Sequence, residues 1–173
     1  MIQRFVSCSG RTAIVTGSGR NIGRAIALAL AEGGANVVVN GHSDRDAVDA
    51  VVAEIRRGGG KALGVMADVA SHEEVAGLVE KTVAEFGSVD IAISNVGVRR
   101  KQPFLEISPE DWQLVLDTNL SPAFYLARNV IPHMQKRKWG RIIHISGFTG
   151  FWGHVTERAH NITAKAGLHG LSK

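Results

Sequence analysis

The run Thr16-Gly17-Ser18-Gly19-Arg20-Asn21-Ile22-Gly23 is the densest chemical signal in the chain. It follows an apolar run, Ala13-Ile14-Val15-Thr16, and opens a helical one, Arg24-Ala25-Ile26-Ala27-Leu28-Ala29-Leu30. Glycines spaced two and four apart let the backbone turn sharply and come close to a ligand. The free N–H groups and positive dipole of a helix start then face an anion. That combination suits a pyrophosphate, and the strand-loop-helix context disfavours a bare glycine-rich turn. The seven histidines form no two-histidine helical motif with a glutamate and none is grouped with carboxylates at ligand spacing, so no metal site is expected.

The elements that must carry such a loop are legible in the hydropathy pattern. Apolar runs of strand length, at 12–16, 36–40, 62–66, 89–94 and 141–146, alternate with longer stretches of helical period. This is the pattern of a parallel sheet covered by helices on both faces, an α/β fold of the Rossmann-type doubly wound kind. Ser71-His72-Glu73-Glu74 has the spacing of a capping box, in which hydroxyl and carboxylate each satisfy an orphan backbone donor. The helix it opens places Val75, Leu78, Val79, Val83 and Phe86 on one face. Ser108-Pro109-Glu110-Asp111 is a second start, and a helix is expected over 109–135, bent or broken at Pro122 and Pro132. A last helix is expected over 158–173.

The 173 residues, 45% hydrophobic and 21% charged, suit one domain over the whole chain. Glycine, at about 12% against a usual share of about 7%, has no three-residue period, which excludes a collagen-like chain. The single cysteine, Cys8, cannot close an intrachain disulfide. No apolar run is long enough to span a bilayer, so a cytoplasmic protein with no membrane partner is expected. The net charge of +4 is spread along the chain apart from Arg99-Arg100-Lys101 and Lys136-Arg137-Lys138, which argues against nucleic acid as a partner. The second cluster is read as cations complementing the end of a helix dipole.

Further motifs follow in order: Asp68-Val69 after the third strand, Ser94-Asn95-Val96-Gly97 ending the fourth, Thr118-Asn119-Leu120, and Ala164-Lys165-Ala166-Gly167-Leu168. With the glycine loop they resemble the short-chain dehydrogenase/reductase family, although Asn21 stands where the middle glycine is usual. The resemblance implies that the residues from Gly17 to Gly23 bind a dinucleotide, that Asp68 and Val69 meet its adenine ring, and that Asn95 and Gly97 support it. It assigns Asn119 to a proton relay and Lys165 to the nicotinamide ribose. It also implies that the domain continues past the lysine helix, so that the chain lacks a substrate-closing part after the fifth strand and its helix. A small-molecule substrate and a homo-oligomer, dimer or tetramer, built through the helix from Pro109 and the final helix, are implied as well.

At the end of the second strand a carboxylate would favour NAD and repel the extra phosphate of NADP. The chain has Asn40-Gly41-His42-Ser43 there and Arg20 inside the loop, so NADP is the preferred cofactor and NAD the alternative, with His42 and Ser43 beside the ribose.

Family members move hydride to or from a carbonyl or alcohol carbon and use a tyrosine four residues before the lysine as acid, with a serine polarising the oxygen. Here that position is Asn161, whose amide gives up no proton near neutral pH. The only tyrosine, Tyr125, is read as packing. Ser146 precedes Gly147 where the family's serine is usual, so it serves only if the strand end shifts by a residue. His160, reached by the family's spacing from Gly150, is a substitute acid or a histidine at a helix start turned away from Lys165. Dienoyl-CoA reductases are similar in keeping the lysine without that tyrosine, and Arg99-Arg100-Lys101 would then meet an acyl-carrier phosphate. Two functions are thus expected: an oxidoreductase acting on a carbonyl, an alcohol or an enoyl thioester, or a catalytically silent dinucleotide-binding sensor or oligomer partner.

Overall fold

A computed structural model describes residues 7–152 and 157–173. Five parallel strands form one sheet in the order β3-β2-β1-β4-β5: β1 (Thr12–Val15), β2 (Asn36–Gly41), β3 (Ala62–Met66), β4 (Ile91–Ser94) and β5 (Arg141–His144). The helices are α1 (Asn21–Glu32), α2 (Arg45–Arg57), α3 (His72–Phe86), α4 (Pro109–Asn119), α5 (Ser121–Lys136) and α6 (Ala159–Leu171). Among them no helix is long and apolar enough to cross a membrane.

Strand side chains alternate between two cores. Ala13, Val15, Val37, Val39, Ile91 and Ile93 pack with Ala27 of α1 and Val48, Val51 and Ile55 of α2. Ile14, Val38, Val65 and Ala92 pack with Val75, Leu78 and Val79 of α3 and Leu126 and Val130 of α5. Both faces of β1 and β4 are therefore fully covered, which is why these strands read as unbroken apolar runs. At the sheet edge β5 alternates exposed and half-buried residues, with Ile143 46% exposed.

Three local expectations change. The helix expected over 109–135 is two helices, α4 and α5, meeting at Leu120. Pro122 sits in the first turn of α5, where its missing N–H costs nothing, and Pro132 lies inside α5 without ending it. In the Ser71 start the hydroxyl accepts from the Glu74 N–H as expected, but the Glu74 carboxylate accepts from the Asp68 N–H at 2.8 Å and ties the end of β3 to α3. Arg137 does more than complement a helix end. Its Nε donates at 2.9 Å to Asp90, a fully buried carboxylate that also accepts from the Thr12 N–H and the Ser88 hydroxyl. A buried carboxylate with these partners keeps its charge satisfied.

Candidate active site

A cleft of about 570 Å³ opens at the C-terminal ends of β1, β4 and β5. It brings together Gly17, Arg20, Asn21, Ile22, Gly23, Asn95, Gly97, Ser146 and Lys165 from the expected site. At one end stands the N-terminus of α1. Asp44, Ser71 and Ser108 accept the capping hydrogen bond of α2, α3 and α4, whereas α1 has no side-chain cap and no acid in its first turn. Its free N–H groups and dipole are left for an external anion.

The loop is shaped for close approach. Asn21 has φ of 50°, the left-handed region that asparagine tolerates, so it substitutes for glycine without a forbidden backbone. A Cβ on Gly23 would lie 2.3 Å from the Gly17 carbonyl oxygen, and one on Gly17 would lie 2.8 Å from Val96. The loop thus packs tightly on α1 and the end of β4. Asn95 closes it, donating from Nδ2 to the Thr16 and Gly17 carbonyls at 3.0 and 3.2 Å. These features fit the diphosphate of a dinucleotide.

Ser18 and Gly19 belong to the loop but not to the cleft wall. Ser18 is fully buried; its hydroxyl donates to the Val15 carbonyl at 2.6 Å and accepts from the Asn40 N–H at 3.0 Å. Gly19 is there for packing, since a Cβ would stand 3.3 Å from Ala47 of α2. Asn40, considered in the sequence only as a missing acid, joins three strands: it accepts from the Gly17 N–H and donates to the Val65 and Ala67 carbonyls. His42, Ser43, Asp68 and Val69 lie outside the cleft, after β2 and β3. Ser43 is exposed and Val69 is buried in the core. His42 is not merely solvated, because its Nε2 lies 3.8 Å from the Asp68 carboxylate.

At the other end of the cleft, Lys165 on α6 donates from Nζ to the Ile145 carbonyl at 2.8 Å. Gly97 faces it, and a Cβ there would press on Asn119 and Lys165. Burial, with Arg99 beside it, holds the Lys165 ammonium below the usual lysine range. Asn119 is buried behind the wall, accepting from the Val98 N–H at 2.7 Å and donating to the Val98 carbonyl at 3.0 Å. Asn161, one turn before Lys165, donates to that same carbonyl and accepts from the Arg100 N–H.

The two acid candidates part company. His160 is fully buried outside the cleft lining, and neither ring nitrogen reaches a partner at normal hydrogen-bond geometry among the described residues. Burial lowers its pKa, and Arg100 adds to this; Asp111 and the Arg158 backbone oppose it. Its ring is therefore not offered to a substrate in the cleft. Ser146 does line the cleft, and its Oγ stands 2.9 Å from Nε2 of His169, a residue the sequence reading passed over. The signal was available: His169 follows Lys165 by four residues, which sets both on one face of α6. Gly150 leaves room for the imidazole, which lies 4.0 Å from the Phe151 ring.

Tyr125 packs against the α3–α5 side of the core, its ring 5.5 Å from that of His72, as expected. The Arg99-Arg100-Lys101 run is divided: Arg100 pairs with Asp111 and Lys101 with Glu157, so only Arg99 faces the cleft.

Residues 11–173 match the family model described as short chain dehydrogenase. The chain belongs to the short-chain dehydrogenase family. Over 169 residues it is 42% identical to a 3-oxoacyl-[acyl-carrier-protein] reductase of Synechocystis sp., covering 98% of this chain and 68% of that protein. It is 37% identical over 164 residues to a 2-dehydro-3-deoxy-D-gluconate 5-dehydrogenase of Formosa agariphila, covering 95% of this chain and 62% of that one. A crystal structure of a dehydrogenase/reductase from Sinorhizobium meliloti superposes with a TM-score of 0.91 at 31% identity, covering 97% of this chain and 66% of that one. This short-chain dehydrogenase thus spans about two thirds of the length of the relatives it matches.

Proposed function

We propose that the protein is an oxidoreductase that uses NADP, with NAD as the weaker cofactor, to interconvert a carbonyl and an alcohol or to reduce an enoyl thioester. The observation that carries this reading is the single cleft joining the uncapped start of α1 to Ser146 and Lys165. When bound, the nicotinamide supplies or accepts the hydride. The chain's own residues do the rest. The α1 N–H groups hold the diphosphate and Arg20 the extra phosphate of NADP, Gly97 makes room, and Lys165 is positioned for the ribose hydroxyls.

Proton supply then needs no tyrosine. Ser146 is oriented to hydrogen-bond the substrate oxygen, and with Nε2 protonated His169 donates to Oγ, so the Ser146 hydroxyl proton is released toward the substrate. Asn161 and Asn119 fix the wall opposite by holding Val98. The activities by which the relatives are named suggest 3-oxoacyl thioesters and keto acids as the first compounds to try. NADPH consumption with ketones, 3-oxoacyl thioesters and enoyl thioesters tests the reading; a protein that binds NADPH and turns over none of them overturns it.

The same reading includes a homo-oligomer. Leu114 of α4, Phe124 and Ile131 of α5 and Leu171 of α6 are each between 38% and 47% exposed, an apolar surface suited to a second copy. Light scattering that returned a monomer at micromolar concentration would remove this part.

A further inference from the structure

Asn161 spends both amide atoms on the two peptide groups that flank one residue. Its Nδ2 donates to the Val98 carbonyl at 2.7 Å and its Oδ1 accepts from the Arg100 N–H at 3.1 Å. Asn119 grips the same segment from α4 through both the N–H and the carbonyl of Val98. Both asparagines are buried, so releasing either clamp would leave desolvated amides unpaired. The residue between the clamped groups is Arg99, and its side chain borders the cleft.

The charges around Arg99 are unbalanced. Its neighbours Arg100 and Lys101 are neutralised by Asp111 and Glu157. Arg99 and Arg158, which precedes α6 and lines the same cleft, have no carboxylate partner among the described residues. Among the described residues the cleft lining holds four cationic side chains, Arg20, Arg99, Arg158 and Lys165, and no Asp or Glu. Arg20 stands in the glycine loop, where the dinucleotide phosphates are expected. The other three stand with Ser146 and Asn161, near the expected site of reaction. Like charges gathered in a cleft repel one another and focus a positive potential there, which an anion relieves.

We propose that Arg99, presented by the Asn161 clamp and assisted by Arg158, binds a carboxylate or phosphate oxyanion on the substrate, so that the protein acts on acidic carbonyl compounds in preference to neutral ones. The guanidinium fork suits either oxyanion bidentately. This inference rests on the oxidoreductase reading for its substrate and on the clamp for its geometry.

Acetoacetate and its methyl ester differ in one charge at nearly equal length, and dihydroxyacetone phosphate and dihydroxyacetone form the matching phosphate pair. One charge-assisted contact predicts kcat/KM about 10- to 100-fold higher for the charged member of at least one pair. The pair that shows the preference identifies the oxyanion. Arg99→Gln is expected to remove the preference through KM, the charged member of the pair losing far more than the uncharged one, and Arg99→Lys to restore part of it. Calorimetric titration of acetoacetate and inorganic phosphate into the protein saturated with NADP, so that the nucleotide fills the α1 end, gives a second readout: binding that Arg99→Gln abolishes. Equal kcat/KM within both pairs, or an Arg99→Gln variant that loses NADPH affinity instead, overturns the inference while leaving the oxidoreductase reading intact. If no carbonyl compound is reduced, the oxidoreductase reading falls, and the calorimetric arm alone decides whether Arg99 is an anion site.

Discussion

The two ends of the cleft are built on different principles. At the α1 end the groups that would hold a ligand are backbone N–H groups, and side chains serve the backbone: Asn40, Ser18 and Asn95 all point inward to knit the loop to β2, β3 and β4. At the α6 end the candidate groups are side chains. Ser146, His169, Lys165, Asn161 and Arg99 meet through tertiary contacts between residues up to 63 positions apart in sequence. A backbone site follows from loop shape and tolerates few changes of size. A side-chain site keeps its shape while single groups change its chemistry.

Separate substitutions should damage these ends separately. Ser146→Ala should lower kcat roughly 10²- to 10³-fold, the usual loss of one donor to a reacting oxygen, with the NADPH Kd unmoved. Stopped-flow hydride transfer and nucleotide fluorescence read the two quantities, and an equal loss in both would erase the distinction between the ends. Gly23→Ala is the opposite case. The added methyl must displace the loop backbone, at about 1–3 kcal/mol, so NADPH should bind roughly 10- to 100-fold more weakly while turnover at saturation survives.

Arg20→Ala sharpens the comparison within the α1 end. It should raise the Kd for NADPH about tenfold, one charge-assisted contact, and leave NADH unaffected. Equal effects on both nucleotides would assign Arg20 to the shared diphosphate.

The smallest effect belongs to His160. Its folded pKa is lowered, chiefly by burial, so between the folded and unfolded values the unfolded chain binds more protons. Stability should therefore rise with pH through that window, and His144, lowered by burial as well, adds the same sign. His160→Gln should flatten the dependence, narrowing the difference in Tm between acid and neutral buffer by about 3 °C. An unchanged slope would show that the imidazole binds its proton equally well in the folded and unfolded states.

Much of the α1 end was legible from local pattern. The glycine spacing and the flanking strand and helix are encoded within a few residues, as are the serines that cap α3 and α4 elsewhere, and the structure has them where expected. Legibility dropped where a role depends on contact across the fold. The amide of Asn40 looked like an absent acid, yet it bridges strands; Arg137 looked like a helix-end cation, yet it neutralises a buried aspartate 47 residues away. His160 and His169 are both histidines on one helix near Lys165. Their spacing from Lys165, five residues before and four after, puts only the second on the lysine's face, but the burial of the first and the contact of the second with Ser146 come from packing across the fold.

By itself the sequence determined the alternation of strands and helices, the parallel sheet and the tight glycine loop between β1 and α1, because periodicity and glycine spacing are local and covalent. Tertiary structure decided which histidine reaches the serine, what the amide of Asn161 holds, and which of the three basic residues at 99–101 has no carboxylate partner among the described residues. Those outcomes depend on helix rotation and on the packing of α4 and α6 around the segment from Val98 to Arg100, which no short window of residues specifies.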